Sequence, residues 1–397
     1  MLLVKLVVQV KLVSSPVQAA ALEATLSAVN EAANWVSGVA HAHGVPREYA
    51  LRKLAYGELK ARGLGAQAAQ HVIKKVRDAY TALQGNLRAG NLGRCGSVER
   101  WKVESKPVEF RPDAAQPYYD RYLSWQFEPG TVSIWTVHGR MKAVPFACSP
   151  QQLATLRNHR RGESDLVLRD GVFYVVATCE IPETPLNEDP ARWIGVDLGI
   201  VNIATTSAGY QAAGRGLNRH RKRLQELRAK LQKKRTKSAQ RALKRINRVE
   251  SHRLRDANHV ISKCIVAEAE RTRAGIGLED LSGIRRRARS SSRGRAALHG
   301  WSFAQLGQFI ACKARRAGVP VVHVDPAFTS QTCSRCSHVE RRNRVRQSRF
   351  VCRSCGLALN ADRNASRNIA RRAEAAWDAG AAVSRPYRRR IGGWTRE

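Results

Sequence analysis

The chain has 397 residues, with 69 Lys+Arg against 32 Asp+Glu, a formal net charge of +37. A protein this basic repels itself unless a polyanion neutralises it, so nucleic acid is the expected partner and a merely solvated basic surface the weaker alternative. The length allows two or three domains with real cores; no apolar run is long enough to span a membrane, and nine partly scattered cysteines argue against a disulfide framework.

The first residues, MLLVKLVVQVKLV, have the apolar content of a secretory signal. They are interrupted by Lys5, Gln9 and Lys11 and carry no small-residue cleavage pattern. Leu2, Val4, Leu6, Val8, Val10 and Leu12 fall on alternate positions, the period of a half-buried strand. The expectation is therefore a strand in an intracellular protein. Ser15-Pro16 then supplies a helix N-cap followed by proline at the first helical position. Leu22, Leu26, Val29, Ala33 and Val36 form one buried stripe. A second helix is expected around Tyr49–Leu59 and a third through Val72, Val76, Tyr80 and Leu83, with glycines between them.

From about residue 100 to 185 the pattern changes to strands. TVSIWTV (131–137) is β-branched and alternating, and DLVLRDGVFYVVATCEI (165–181) reads as a hairpin turning at Asp170-Gly171. These strands are the nearest partners for the first one, which predicts a β-barrel or sandwich split by a helical bundle. IPETPLNEDP (181–190) is proline-rich and reads as a boundary. Beyond it, residues 217–263 form a long basic helical stretch with Leu224, Leu227 and Leu231 as its apolar stripe. Its other faces suit phosphates better than bare solvent. IRRRARSSSRGR (284–295) reads as a mobile loop and SRPYRRRIGGWTRE as a disordered tail.

Cys333-x-x-Cys336 and Cys352-x-x-Cys355 have fifteen residues between them, 337–351. That spacing suits a zinc ribbon, two tight knuckles around one tetrahedral ion. Four thiolates close the coordination sphere, so one structural Zn2+ is expected, with no open position for water. Gly356 permits the turn after the second knuckle; Ser337 stands where glycine would be easier. His338 reads as a surface residue.

Three acids stand out for their surroundings. Asp197 lies in RWIGVDLGIVNIAT, an apolar strand where an unpaired charge is expensive. Gly195 and Gly199 would let a ligand or another backbone come close. Glu279 ends a second apolar strand, GIGLE, with Asp280 pointing to the opposite face. Asp362 opens a helix through Ala365, Ile369 and Ala370 and is the one acid between Glu340 and Glu374. Singly, each has an ordinary explanation: Asp362 as an N-cap, Glu279 as a strand-end ion-pair partner. Together, on a chain this basic, they suit phosphodiester cleavage, in which two Mg2+ ions held by a few carboxylates serve the attacking water and the leaving oxygen.

GVDLGIVNIAT, GLEDLSGI and NADRNASRNIA resemble the three motifs of a RuvC-like nuclease domain, an RNase H fold. HGWSFAQLGQFIACKARRAGVPVVHVDPAFTSQTCSRC resembles the C-terminal half of the TnpB family, transposon-encoded RNA-guided DNA endonucleases related to compact type V CRISPR effectors. The resemblance covers about residues 191–371. It implies an α/β plus β-barrel architecture: a wedge-like β-barrel (1–14 and 96–190) interrupted by a helical recognition lobe (15–95), a RuvC-like nuclease domain (191–325 and 359–384), an inserted zinc-ribbon nucleic-acid-binding domain (326–358) and a flexible basic tail (385–397). Asp197, Glu279 and Asp362 match the catalytic, Mg2+-binding triad, and Cys333, Cys336, Cys352 and Cys355 the Zn2+ ligands. The implied partners are a guide RNA and double-stranded target DNA beside a short motif, with no membrane, in the prokaryotic cytoplasm at the nucleoid; the sequence leaves the oligomeric state open, a monomer being favoured. An RNA-guided repressor, a compact CRISPR effector using a CRISPR RNA and a DNA-joining transposase are the alternatives.

Overall fold

The structure, a computed structural model, describes residues 3–44, 47–281 and 303–380. The basic run 284–295 and the tail from Ser384 lie outside the described residues. Contacts divide the chain between Pro182 and Glu183, inside the proline-rich stretch.

In the first unit, β1 (Leu3–Leu12) runs through the middle of a sheet, between β5 (Gly139–Ala147) and β7 (Val172–Pro182), antiparallel to both. Val8, Val10 and Leu12 are buried while Lys5 and Lys11 are exposed, as the alternation predicts. The full order is β2-β6-β7-β1-β5-β4-β3, completed by β2 (Gln116–Tyr118), β3 (Leu123–Gln126), β4 (Thr131–Thr136) and β6 (Arg160–Arg169). Tyr118 and Leu123, from the two end strands, enter the same apolar core. The sheet therefore wraps into a nearly closed barrel. The β6–β7 hairpin turns at Asp170 (φ 54°) and Gly171 (φ 74°), two left-handed residues whose twist suits a two-residue hairpin.

The helical segment packs beside this barrel in the same unit. α1 (Pro16–Ala42) opens with a capping box, Ser15 and Gln18 exchanging side-chain and backbone bonds. With α2 (Glu48–Ala61) and α3 (Ala66–Arg88) it encloses a core of Val29, Val36, Leu51, Leu59, Val72 and Val76. Lys74 on α3 pairs with Glu163 on β6 and donates to the Tyr119 hydroxyl, tying bundle to barrel. The short α4 (Val98–Glu104) follows the bundle, and α5 (Pro150–His159) lies against the barrel.

The second unit is a three-layer α/β structure. Its sheet has the order β10-β9-β8-β11-β12: β8 (Trp193–Asp197), β9 (Asn202–Thr206), β10 (Gln211–Ala213), β11 (Gly275–Glu279) and β12 (Val321–Val324). β8, β11 and β12 are parallel; β9 runs antiparallel to β8, and β10 antiparallel to β9. The apolar runs of β8 and β11 fit central strands covered on both faces. One face takes α7 (Lys237–Arg271) and α8 (Phe303–Arg316) over Ile194, Val196, Ile276 and Leu278. The other takes α9 (Ala361–Asp378), with Ile369, Ala373 and Trp377 against Trp193, Val322 and Val324.

The long basic stretch is a pair of helices, α6 (Arg215–Lys234) and α7. They part at Arg235, left-handed at φ 50°, and α7 is capped by Thr236. Of the predicted stripe, Leu224 and Leu231 are half-buried. Leu227 is 42% exposed, and Arg221 and Arg228 of α6 share Glu250 of α7. This little-exposed ion-pair network joins the two helices.

Candidate active site and metal centre

Strand alternation decides which groups meet. On β8, Trp193, Gly195 and Asp197 fall on the α9 face while Ile194 and Val196 enter the opposite core. On β11 the same parity puts Gly275, Gly277 and Glu279 on the α9 face. Gly195 and Gly277 are register partners, so Asp197 and Glu279 end neighbouring parallel strands side by side. Asp280 falls to the other face, with His323, as the sequence pattern requires.

The glycines set where α9 lies. A Cβ on Gly195 would overlap the Ser366 carbonyl and the Ala370 amide; one on Gly277 would come within 2.7 Å of the Ala373 Cβ. Helix backbone therefore rests directly on strand backbone. Asp362 is four residues before Ser366, about 6 Å along the axis. Asp197 is two residues beyond Gly195, about 6.6 Å along the strand. The two rises match, and α9 delivers Asp362 to the strand ends carrying Asp197 and Glu279.

Asp362 is not the helix cap. Asn360 is: its side-chain oxygen accepts from the Asp362 and Arg363 amides at 2.9 and 3.2 Å. The N-cap side chain satisfies amides that would otherwise be orphaned, which leaves the Asp362 carboxylate free for other partners. Asn202 of β9 donates to its Oδ2 at 2.8 Å, and the Arg344 guanidinium stands 3.8 Å from its Oδ1.

Electrostatics marks the three acids as one group. Burial, then Glu279 and Asp362, push the Asp197 carboxyl up to about 7, with Arg344 opposing. Burial also raises Glu279, against a hydrogen bond from Thr329 and the charge of Arg372. Carboxylates near one another and out of water are the hard oxygen donors a divalent cation prefers, although among the described residues only the four cysteines already bring their ligand atoms within 4.8 Å of one another. Asn202, Thr329, Arg344 and Arg372 carry no mark in the sequence that separates them from their many polar neighbours.

The four cysteines meet as their spacing predicts. Their Sγ atoms all lie within 4.8 Å of one another, with Cys333–Cys355 and Cys336–Cys352 at 3.6 Å. A tetrahedron of thiolates at about 2.3 Å from a central zinc has edges of about 3.8 Å, so the cluster fits that ion. The knuckles repeat one another. Ser337 N donates to Cys333 O and Gly356 N to Cys352 O, and both turning residues are left-handed, at φ 62° and 71°. Ser337 thus adopts a conformation glycine takes without strain. His338 bonds Glu340. The remaining cysteines, 95, 148, 179, 264 and 312, are free.

The cluster sits on a three-stranded sheet of β13 (Arg344–Arg346), β14 (Arg349–Val351) and β15 (Ala358–Asn360), which runs straight into α9. Ala361 packs with Cys333, Phe350 and Cys352. Among the described residues no helix is long and apolar enough to cross a membrane.

Two family models match the second unit and the strand before it: a "Probable transposase" family over residues 177–282, and the Cas12f1-like TNB domain over residues 303–369. The CRISPR-associated endodeoxyribonuclease Cas12f1 of Sulfoacidibacillus thermotolerans is 34% identical over 199 residues, 46% of each chain. The "Putative RNA-guided DNA endonuclease InsQ" of Escherichia coli K12 is 28% identical over 222 residues, 50% of this chain and 53% of that one. The chain spans about half the length of the curated relatives it matches. A solved structure of CasPhi-2 (Cas12j) bound to crRNA is similar in fold, with a TM-score of 0.55 at 12% identity over 96% of this chain and 99% of that one.

Proposed function

We propose that this chain, a relative of TnpB-like and Cas12f proteins, is an RNA-guided DNA endonuclease whose RuvC-like, RNase H-type domain cuts with Asp197, Glu279 and Asp362. One observation carries the reading: three acids far apart in sequence end two adjacent strands and open one helix, where burial and then the other two raise the protonation threshold of Asp197. The names of the relatives support the same chemistry.

Asp197, Glu279 and Asp362 would hold two Mg2+ ions, which supply an activated water and a stabilised leaving oxygen for phosphodiester hydrolysis. The chain's own part is orientation. Asn360 takes the capping duty away from Asp362, Asn202 fixes one of its oxygens, and the helix seat fixes its distance from Asp197. Arg344 adds a positive charge beside the site, suited to a scissile phosphate.

The cysteine ribbon, residues 326–358, would bind one structural Zn2+ and contact target nucleic acid. The barrel, residues 1–14 and 96–190, would act as a wedge beside the duplex and the helices of 15–95 as a recognition lobe. The net charge of +37 suits a protein that holds a large RNA throughout its working life. Base pairing would supply sequence specificity and the protein would read backbone, shape and a short adjacent motif. It would work in the prokaryotic cytoplasm, at the nucleoid. The test is to purify the protein with its co-purifying RNA, sequence that RNA and supply matching DNA with Mg2+. Cutting supports the reading; binding without cutting favours an RNA-guided repressor.

A further inference from the structure

We propose that Thr329 is a positioning residue for Glu279, and that two asparagines one turn apart on α9 tie Thr329 to the first cysteine knuckle, Asn368 to Thr329 and both to Thr332. The inference rests on the nuclease reading of the site. The Thr329 hydroxyl lies 2.6 Å from Glu279 Oε1 and 3.2 Å from the Pro326 carbonyl. A hydroxyl has one proton, and the short, charge-assisted bond to the carboxylate takes it. Thr329 is 4% exposed, and its β-branched side chain has few rotamers to wander among. One Glu279 oxygen is thereby fixed and the other is left to bind.

The backbone that carries this hydroxyl is itself held. Asn368 of α9, buried, donates to the carbonyls of Thr329 and Thr332 at 2.9 and 2.7 Å. Asn364, one turn earlier, donates to the same Thr332 carbonyl at 2.8 Å and accepts from the Ser334 amide at 2.9 Å. Cys333 lies between those two anchor points. Phe328, immediately before Thr329, is left-handed at φ 61°, a strained choice for an aromatic residue that tight anchoring on the following residues can sustain. One continuous set of bonds thus runs from the cysteine cluster through Asn364 and Asn368 to Thr329 and Glu279. The helix that contributes Asp362 also sets the partner of Glu279.

Thr329→Val keeps the shape and removes the hydroxyl; Thr329→Ser keeps the hydroxyl. Single-turnover DNA cleavage by the RNA-bound protein is measured alongside zinc content and target binding. Mn2+ binding to the full chain is followed by electron paramagnetic resonance, with Asp197→Ala as background. Thr329→Val is expected to cut about 10–100-fold more slowly, the worth of one hydrogen bond to a charged group. It should bind Mn2+ more weakly, with zinc content and target binding unchanged, and Thr329→Ser should restore most of both. Wild-type cutting and Mn2+ binding in Thr329→Val, or a Thr329→Ser as defective as Thr329→Val, would overturn the proposal while leaving the nuclease reading intact. A wild-type protein that fails to cut overturns the nuclease reading instead, and the Mn2+ comparison still decides the role of Thr329.

Discussion

Gly195 and Gly277 face each other across two parallel strands and together form the flat seat on which the helix of Asp362 lies. Each stands two residues before an acid, so the seat and the site share one strand face. The atoms a new Cβ would meet differ. Over Gly195 they are helix backbone, which cannot give way; over Gly277 the nearest is the Ala373 methyl, at 2.7 Å. Gly195→Ala should therefore lift the helix, cost about 1–3 kcal/mol of stability as overpacked sites do, and slow cleavage about a hundredfold, the effect of an ångström of misplacement. Gly277→Ala should be milder and largely repaired by Ala373→Gly. Thermal melts and single-turnover cleavage check both; a Gly195→Ala protein that cuts normally removes the seat from the account.

Asp197→Ala, Glu279→Ala and Asp362→Ala should each reduce DNA cleavage by about a thousandfold or more, since each would remove several kcal/mol of charge stabilisation at the reacting phosphate. RNA retention and target binding should stay close to wild type, because those depend on basic surfaces elsewhere. Filter binding and gel assays of the same preparations separate the two. Residual cutting near the wild-type rate in any one variant would take that acid out of the triad.

The metal-free protein should lose stability as pH rises. The ordinary carboxyl value of 3.8 applies to Asp197 in the unfolded chain, and about 7 in the folded one. Between those values the folded state binds more protons, so folding stability falls from about pH 4 to about pH 7 and stays low above. At about 1.4 kcal/mol per unit, the loss is on the order of a few kcal/mol. Asp197→Asn removes the proton linkage, so in chelator its melting temperature should exceed wild type at pH 8 and match it near pH 4. Mg2+ should raise the wild-type melting temperature at pH 8 and leave Asp197→Asn nearly unmoved. A flat wild-type profile in chelator would contradict the buried, crowded state of Asp197.

Two acids of the site are legible in the sequence because burial makes charge conspicuous: Asp197 and Glu279 each end an otherwise apolar strand. The cysteines are legible because spacing fixes a knuckle. Gly195 reads as a place of close approach, but nothing in GIGLE tells Gly277 from its neighbour Gly275, since only the register pairs it with Gly195. Asn202 and Thr329 are silent because their bonds join residues 160 and 50 positions apart. Asp362 illustrates the remaining ambiguity. An acid at a helix start suggests a cap, and the capping residue, Asn360, lies only two positions earlier. The barrel and bundle follow from periodicity, whereas the ion pairs of Arg221 and Arg228 with Glu250 that join α6 to α7 do not, because they link charged residues more than twenty positions apart.

Removal of the metal from the cysteine cluster should damage cleavage through the start of α9. Cys352 and Phe350 pack on Ala361, β15 ends at Asn360, and Asn364 grips the amide of Ser334 beside Cys333. Without a central ion, four thiolates or thiols crowded within 4.8 Å lose the charge that gathers them. The knuckles should then loosen, and with them the cap and both asparagine anchors, so Asp362 and Glu279 should drift together. Cys355→Ser is expected to lower zinc content below one per chain, reduce the melting temperature and slow cleavage at least tenfold, more than it weakens target binding. Metal analysis, melts and single-turnover rates on one preparation provide the check. A zinc-free Cys355→Ser protein that cuts at the normal rate would uncouple the ribbon from the carboxylates and leave it a binding module alone.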